Sequence, residues 1–427
     1  MKTLLKSIHG ISPFILIPIF YFGIVSAPEP QVEIQPVSKA VFTGLDVLAR
    51  DNFAILEGKK VGLITNQTGV NRKLIQNVEL FLESPNVDLQ AVFSPEHGFS
   101  GTVSAGEKVN SSEDVKTGIP FYSLYGENRK PTPDMLKGLD VLVFDIQDIG
   151  IRSYTYMSTM GLAMEAAGEV GIDFIVLDRP NPMNGEKIEG NILDLKFSSF
   201  IGMYPIPYVY GLTPGELARM INEEKWMGST CNLNVIKMEN WDRKTRWDKT
   251  QLNWKAPSPN VPKSITPNFM VSTGIMGELG VFSIGIGTEF PFELMGAPWI
   301  KEIQFTDKMN QLNLPDITFL PITFSPKKGL FQGEKVHGVH LQILDVEKAE
   351  LIKIQFYFME IHQQLYPEKN PFELTTPNQL LMFNKVLGTD QITDAFSKRL
   401  KVEDIVGLIN PDLSNFREIS KPYYLYD

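Results

Sequence analysis

Residues 141–148 are VLVFDIQD, an apolar run of four residues that passes directly into polar ones. Three other runs follow the same plan: VGLI at 61–64, LQAVF at 89–93 and FIVL at 174–177. Short apolar runs bounded by polar residues are typical of buried parallel strands. Apolar residues at helical spacing lie between the runs, over 74–82 and 157–167. This alternation predicts an α/β fold with a Rossmann-like, doubly wound, mostly parallel sheet.

The rest of the chain predicts a second, smaller domain. Thr213-Pro214-Gly215-Glu216 is a capping box that begins a helix running to about Trp226. A stretch rich in proline and tryptophan follows at 240–270, where regular structure throughout is excluded. Beyond it, a strand pattern at 339–343 and helical stripes at 351–365 and 402–409 indicate an α+β domain. We therefore predict a Rossmann-like catalytic domain over 42–255 and a smaller α+β domain over 256–427 that completes the cleft.

The N-terminus has the pattern of an export signal. Two lysines precede an apolar stretch at 11–25, and Ser26-Ala27 supplies small residues at its end, as in a secretory signal peptide over 1–27. The stretch is shorter than the roughly 20 residues that span a bilayer, although an uncleaved anchor is the alternative. Residues 28–41 are rich in proline, glutamine and glutamate in their first part, which predicts a linker. With Cys231 as the single cysteine, no intrachain disulfide can form. We expect a periplasmic protein without a stable membrane span after signal cleavage.

Composition and motifs exclude several functions. The chain has 427 residues, 43% of them hydrophobic, and a net charge of -10 with no dense basic run, so nucleic acid is a poor candidate partner. Neither GxGxxG nor GxxxxGK[ST] occurs, and a GxSxG elbow is also absent. No HExxH or paired-histidine motif supports a metal site. We therefore predict no cofactor.

Polar residues follow each of the four predicted strands. Ligands of open α/β sheets bind beyond the carboxyl ends of the strands, where these residues would collect. We expect the substrate-binding residues there: Asn66, Asp145, Gln147, Asp148, Arg152, Tyr154, Arg179 and Asn181.

Glu96 is the first candidate for catalysis, because it follows an apolar strand in a turn bounded by proline and glycine, where partial desolvation would favour a proton-donating carboxyl group. The alternative is a capping carboxylate. His97 could orient Glu96, touch substrate or bond only to backbone. Arg152 and Arg179 could hold a substrate carboxylate with planar forks, or form ion pairs that brace the loops.

Several longer motifs occur together in one order. They are SPEHGF at 94–99, DIQDIG at 145–150, LDRPNP at 177–182, PIP at 205–207, YGLT at 210–213, PSPN at 257–260, PFE at 291–293, GAPW at 296–299 and a tyrosine-rich tail at 423–426. This set closely resembles the NamZ-type exo-β-N-acetylmuramidases, over about residues 42 to 427. The resemblance implies a secreted glycoside hydrolase that removes N-acetylmuramic acid from the non-reducing ends of peptidoglycan fragments, in cell-wall recycling. It also implies an active site in the cleft between the two domains.

By the same resemblance, Glu96 matches the family's glutamate in PEHG, and Glu278 matches a glutamate of the second domain. The two would form the carboxyl pair of a glycosidase, with Glu96 as the acid and Glu278 in the second role, unless the 2-acetamido group of the sugar acts as nucleophile. Many relatives carry GRGT where this chain has Gly285-Ile286-Gly287-Thr288. An arginine is thus replaced by Ile286, which puts substrate preference among muramyl saccharides in question.

Two other hypotheses compete with a muramidase. One is a non-catalytic periplasmic protein that binds muramyl sugars, in which Glu96 would contribute only to affinity. The other is a metal-dependent sugar hydrolase, which would lose activity in a chelator. Oligomeric state does not follow from the sequence.

Overall fold

A twisted sheet of six parallel strands and one short antiparallel edge strand forms the N-terminal half of the computed structural model, which describes residues 39–103, 112–113 and 118–427. Its strands are β1 (Lys60–Thr65), β2 (Asp88–Ser94), β3 (Ser112–Glu113), β4 (Pro120–Ser123), β5 (Val141–Asp145), β6 (Asp173–Leu177) and β9 (Asn232–Ile236). The order across the sheet is β3-β4-β2-β1-β5-β6-β9. Without the edge strand β3, this is the doubly wound Rossmann order. The predicted fold class is confirmed.

Helices cover both faces of this sheet. They are α1 (Gly44–Arg50), α2 (Asn77–Glu83), α3 (Pro133–Leu136), α4 (Tyr156–Val170) and α5 (Pro214–Glu223). A two-stranded ribbon, β7 (Glu189–Ile192) with β8 (Pro207–Val209), lies outside the sheet. Every residue of β5 is buried, as expected for a strand covered on both faces.

The C-terminal half is built on a smaller antiparallel sheet. Its strands are β10 (Leu294–Ala297), β11 (Ile317–Phe324) and β12 (Val336–Ile343), in the order β10-β12-β11. Its helices are α6 (Thr266–Gly277), α7 (Glu302–Asn310), α8 (Ile354–Leu365), α9 (Pro371–Leu374), α10 (Pro377–Leu387), α11 (Gln391–Arg399), α12 (Val406–Ile409) and α13 (Ser414–Ser420). This agrees with the predicted α+β class, and a buried apolar cluster continues from Ile64 to Tyr423 through both halves. The boundary at 255/256 stays a prediction.

Two predicted helices differ in extent. Residues 74–75 do not belong to α2, because the Asn71 side chain accepts hydrogen bonds from the amides of Lys73 and Ile75 and holds a turn in which Leu74 has φ 62°. The stripe at 402–409 is broken at Ile405, whose φ is -124°, so that only its second half is α-helical. The capping box at Thr213 is present, and α5 begins as predicted.

The predicted export signal over 1–27 and most of the linker over 28–41 lie outside the described residues. Within the described residues, no helix combines the length and the apolar character needed to cross a bilayer.

Candidate active site

The register of the sheet places the four polar segments at one edge. Thr65 of β1 is paired with Asp145 of β5, and Phe93 of β2 with Ile64 of β1, so the segments after these strands leave the sheet side by side. Because the order of strands reverses between β1 and β5, the helices that follow diverge and open a crevice there. The side chains of Asn66, Glu96 and Asp148 are all buried at this edge.

Glu96 is held by the loop that leads into α4. Its Oε2 accepts a hydrogen bond of 2.7 Å from the hydroxyl of Thr155, the residue directly before the first turn of the helix. His97 lies in the left-handed region with φ 72°, and its Nδ1 is 2.7 Å from the carbonyl oxygen of Val103. The structure therefore places His97 against backbone, which was one of its three predicted roles.

Asp148 and two tyrosines lie close to Glu96. Asp148 accepts hydrogen bonds from the hydroxyl of Tyr210 and from the amide of Gly150, and burial raises the pKa of its carboxyl group to about 6. Tyr154 packs edge-on against Tyr156, with ring centroids 4.8 Å apart. Burial raises the pKa of Tyr154, and the charges of Asp148 and Glu96 act in the same direction, which shows that both carboxyl groups are near this ring.

The three predicted amide ligands hold the loops at the edge of the sheet. Gln147 donates from Nε2 to the carbonyl oxygens of Asp148 and Pro180, at 2.8 and 2.7 Å. Asn181 accepts from the amide of Met183 and donates to the carbonyl of Leu212, both at 3.0 Å. Asn66 accepts from the amide and the hydroxyl of Thr68. Their substrate contacts stay predictions.

Both predicted arginine forks are turned into the protein. Arg179 donates to the two carboxyl oxygens of Asp145 at 2.6 and 3.0 Å, and both side chains are buried. Arg152 donates to the carbonyl oxygens of Asn191, Ile206 and Leu387 at 2.7–2.8 Å. For Arg179 these contacts favour the predicted ion pair that braces the loops over the predicted contact with a substrate carboxylate. Arg152 also braces loops, although through backbone carbonyls rather than the predicted carboxylate.

Glu278 lies at the C-terminal end of α6, in a cavity of about 580 Å³. Burial raises the pKa of its carboxyl group to about 7. Tyr208 and Ser153, whose hydroxyl oxygens are 3.1 Å apart, line the same cavity from the N-terminal half, and Ile286 lines it from the C-terminal half. Glu96 is not among its lining residues, but Thr155, which binds Glu96, is only two residues from Ser153 along the loop.

Sequence reasoning missed the hydroxyl-bearing residues of this arrangement other than Tyr154, namely Ser153, Thr155, Tyr156, Tyr208 and Tyr210. Their signal was position, since 153–156 lie within six residues of the end of the DIQDIG motif, Tyr208 follows the PIP motif and Tyr210 begins the YGLT motif. Among the described residues, no three histidine, cysteine, aspartate or glutamate side chains come together in a group that could hold a metal ion.

The fold and the site together define an α/β protein of Rossmann strand order, with buried carboxyl groups at the carboxyl edge of its sheet and a cavity shared with an α+β C-terminal half. Two family models match the chain: "Exo-beta-N-acetylmuramidase NamZ, N-terminal" over residues 61–265, and "Exo-beta-N-acetylmuramidase NamZ, C-terminal" over 268–426. The chain belongs to the NamZ family.

A curated relative and two solved structures agree with this assignment. The peptidoglycan beta-N-acetylmuramidase NamZ of Bacillus subtilis (strain 168) is 43% identical over 408 residues, covering 95% of this chain and 97% of the relative. A DUF1343 family protein from Bacteroides fragilis NCTC 9343 has a crystal structure with a TM-score of 0.87 and 46% identity, covering 92% of this chain and 100% of that one. A second DUF1343 protein from the same organism has a TM-score of 0.70 and 29% identity, covering 91% and 99%.

Proposed function

We propose that this protein is an exo-acting β-N-acetylmuramidase, a glycoside hydrolase that releases N-acetylmuramic acid from the non-reducing ends of peptidoglycan fragments during cell-wall recycling. The observation that carries the proposal is the match to both halves of the NamZ family over 61–426, in a chain that keeps Glu96 buried at the carboxyl edge of the sheet. The loop at 153–155 is linked to both proposed carboxyl groups, since Thr155 donates a hydrogen bond to Glu96 and Ser153 lines the same cavity as Glu278. A glycosidase reaction needs such a pair of groups.

The chemistry of glycoside cleavage assigns a role to each group. The transition state resembles an oxocarbenium ion, so one carboxylic acid protonates the leaving oxygen while a second group acts in its ionised form. We assign the acid to Glu96, positioned by Thr155, and the ionised role to Glu278. An ionised Glu278 can act in one of three ways: it can activate water, attack the sugar, or support the 2-acetamido group as the nucleophile. The assignment includes all three routes.

Two substrates with different leaving groups test this assignment. The first is a 4-nitrophenyl β-N-acetylmuramide, whose leaving group departs without a proton, and the second is a natural muramyl disaccharide, whose leaving sugar needs one. We expect Glu96→Gln to reduce cleavage of the disaccharide by roughly 10²–10⁴-fold, with a much smaller loss on the aryl glycoside. Glu79→Gln, which changes an exposed glutamate of α2, serves as the matched control and should change neither rate.

Two results would contradict the muramidase proposal, and a third would contradict only the role assigned to Glu96. Absence of release from both substrates by the unaltered chain would favour the binding protein. Loss of activity in a chelator would favour the metal-dependent hydrolase. Equal losses on both substrates in Glu96→Gln would remove the acid role from Glu96 and leave the muramidase activity standing.

The location of the protein is a separate proposal that rests on the N-terminal sequence pattern. Residues 1–27 act as a cleaved signal peptide, and the remaining chain works in the periplasm. N-terminal sequencing of the protein from fractionated cells should give a periplasmic chain that begins near residue 28. An intact N-terminus in the membrane fraction would indicate an uncleaved anchor instead.

A further inference from the structure

A small crevice lies where the strand order of the large sheet reverses between β1 and β5, and we call it the Arg179 crevice. Thr68 follows β1, Gln147 follows β5 and Arg179 follows β6, and residues of the loop at 247–255 complete the lining. Among the described residues, none lines both this crevice and the cavity at Glu278. Ligands of doubly wound sheets bind at such a reversal, so the crevice is at a position where the fold favours a ligand.

The lining of the Arg179 crevice is cationic. Arg72, Arg179 and Lys255 all contribute to it, and no aspartate or glutamate does so in the part of the chain that the structure describes. The neighbouring carboxylate of Asp46 is already engaged, since it accepts from the amide of Arg72 at 3.0 Å and from Thr43 in the capping box of α1. The whole chain has a net charge of -10, so this local excess of positive charge would attract an anion against the overall charge.

The guanidinium of Arg179 keeps hydrogen-bond donors that a ligand could use. Its Nε and Nη2 atoms donate to the carboxyl group of Asp145 and to the carbonyl oxygen of Val70. The two N–H groups on Nη1 have no protein partner within the described ranges, although the side chain is only 4% exposed. A buried donor without an acceptor costs free energy. Because Arg179 lines the crevice, a group held there supplies the acceptor that these donors lack.

The size of the crevice limits which part of a ligand can enter it. Its volume of about 20 Å³ accommodates one small group, since a single water molecule needs roughly 10–15 Å³. The body of a larger ligand would stay outside, beside the exposed side chains of Lys255 and Leu74. Lys255 forms no ion pair with any described residue, so its ammonium group is available to an anion at the rim.

We propose that the Arg179 crevice binds an oxyanion, the carboxylate or phosphate group of a small soluble molecule, through Arg179 together with Arg72 and Lys255. A planar guanidinium pairs with two oxygens of such a group, and the lysine ammonium adds a point charge. The site is additional to the proposed muramidase site and does not depend on it.

Calorimetric titration of the full chain tests the site, with sodium phosphate and sodium acetate as the probes at pH 8 and at constant ionic strength set by chloride. We expect one ion per chain to bind saturably, with a Kd of about 1 mM for the better probe, as a few charge-assisted hydrogen bonds provide. Tighter binding of phosphate would indicate a phosphate-bearing ligand, and tighter binding of acetate a carboxylate-bearing one. Either order supports the site.

Substitutions at the rim then test which cations hold the ion. Lys255→Glu reverses a charge on an exposed side chain and should weaken binding of the better probe about tenfold or more. Lys244→Glu, which changes an exposed lysine outside the crevice, is the matched control and should leave the Kd unchanged. Arg72→Gln removes a second cation and should also weaken binding, and circular dichroism checks that each variant is folded.

A crystal structure of the full chain with the better probe locates the bound ion. We expect one of its oxygens to lie about 3 Å from Nη1 of Arg179. The proposal is overturned if neither probe binds saturably, if Lys255→Glu and Arg72→Gln bind like the unaltered chain, or if water occupies the crevice while the ion lies elsewhere. Failure of the proposed function is a separate result, since it is measured as release of N-acetylmuramic acid from the two substrates.

Discussion

The ionisation of the Glu278 carboxyl group depends strongly on its surroundings. It is a carboxyl group at the end of a helix in a mostly apolar cavity, and burial raises its pKa to about 7. The group is therefore protonated below about pH 7 and ionised above it. Its proposed role requires the ionised form, so activity depends on pH through this residue.

We predict that kcat/KM for the aryl β-N-acetylmuramide rises as pH increases through about 7 and then levels off. Glu278→Gln should lower the rate and remove this limb, whereas Glu79→Gln should keep the profile. The measurement is a rate–pH series from pH 5 to 9. A rate that instead falls above pH 7, with the limb lost in Glu278→Gln, would transfer the role of proton donor to Glu278.

The buried pair of Asp145 and Arg179 leads to a second prediction. Asp145→Asn leaves the guanidinium of Arg179 buried without its counter-ion, so the free energy of unfolding should fall by about 3–5 kcal/mol. Urea denaturation measures this loss. Glu418→Gln removes an exposed pair with Lys421 and should cost less than about 1 kcal/mol. Native stability of Asp145→Asn with a raised KM would return Arg179 to its predicted role as a substrate fork.

At the scale of elements, the C-terminal tail supports the loop that follows β6. The hydroxyl of Tyr426 donates to Asp178 at 2.6 Å and accepts from the amide of Met238 at 2.9 Å. Tyr424 packs against the guanidinium of Arg243, whose carbon is 3.5 Å from the ring centroid. Asp178 directly precedes Arg179, so the last residues of the chain help to position a loop at the candidate active site.

We predict that Tyr426→Phe lowers the free energy of unfolding by about 1–2 kcal/mol, because Asp178 loses a donor while buried. The effect should grow with pH. Burial raises the pKa of Asp178 to about 7, so the folded chain holds a proton that the unfolded chain releases near pH 4, and stability falls as pH rises between these values. Loss of the tyrosine raises this pKa further and extends the fall.

Thermal denaturation at pH 5 and pH 8 checks this prediction. Tyr357→Phe, on the partly buried face of α8, is the control and should show a much smaller loss that does not change with pH. A loss in Tyr426→Phe that is the same at both pH values would mean that Asp178 does not respond to its neighbour.

At the scale of the whole molecule, the two halves share one core. Buried apolar residues form a continuous cluster from Ile64 to Tyr423. Polar links cross between the halves as well: Glu189 accepts from the amides of Leu351 and Ile352 at 2.9 and 3.1 Å, and Arg152 donates to Leu387. Neither half can therefore lose its structure without exposing the other's core.

We predict one cooperative unfolding transition by calorimetry for the chain from residue 39 onward, with a calorimetric enthalpy equal to the van't Hoff enthalpy. Residues 42–255 produced alone should not unfold cooperatively, because part of their core would face water. Two separate transitions, or a stable fragment, would instead support a domain boundary at 255/256.

Much of the fold could be predicted because the signals for it are local. The runs at 61–64, 89–93, 141–144 and 174–177 all became strands of one sheet, since a buried parallel strand needs apolar residues on both faces. The capping box at Thr213 acted through residues three apart. The prediction that Leu74 belongs to a helix was wrong, because the hydrogen bonds accepted by Asn71 outweighed the helical spacing of the apolar residues.

The sequence by itself determined the strands, their polar extensions and therefore the edge at which the candidate site lies. Only the tertiary structure decided how each polar group there is used. Arg152 and Arg179 are engaged by partners such as Leu387 and Asp145, far along the chain, while the cavity around Glu278 joins residues from 153 to 386. Strand formation depends on neighbours in sequence, whereas desolvation and hydrogen bonding depend on neighbours in space, and those neighbours exist only once the chain has folded.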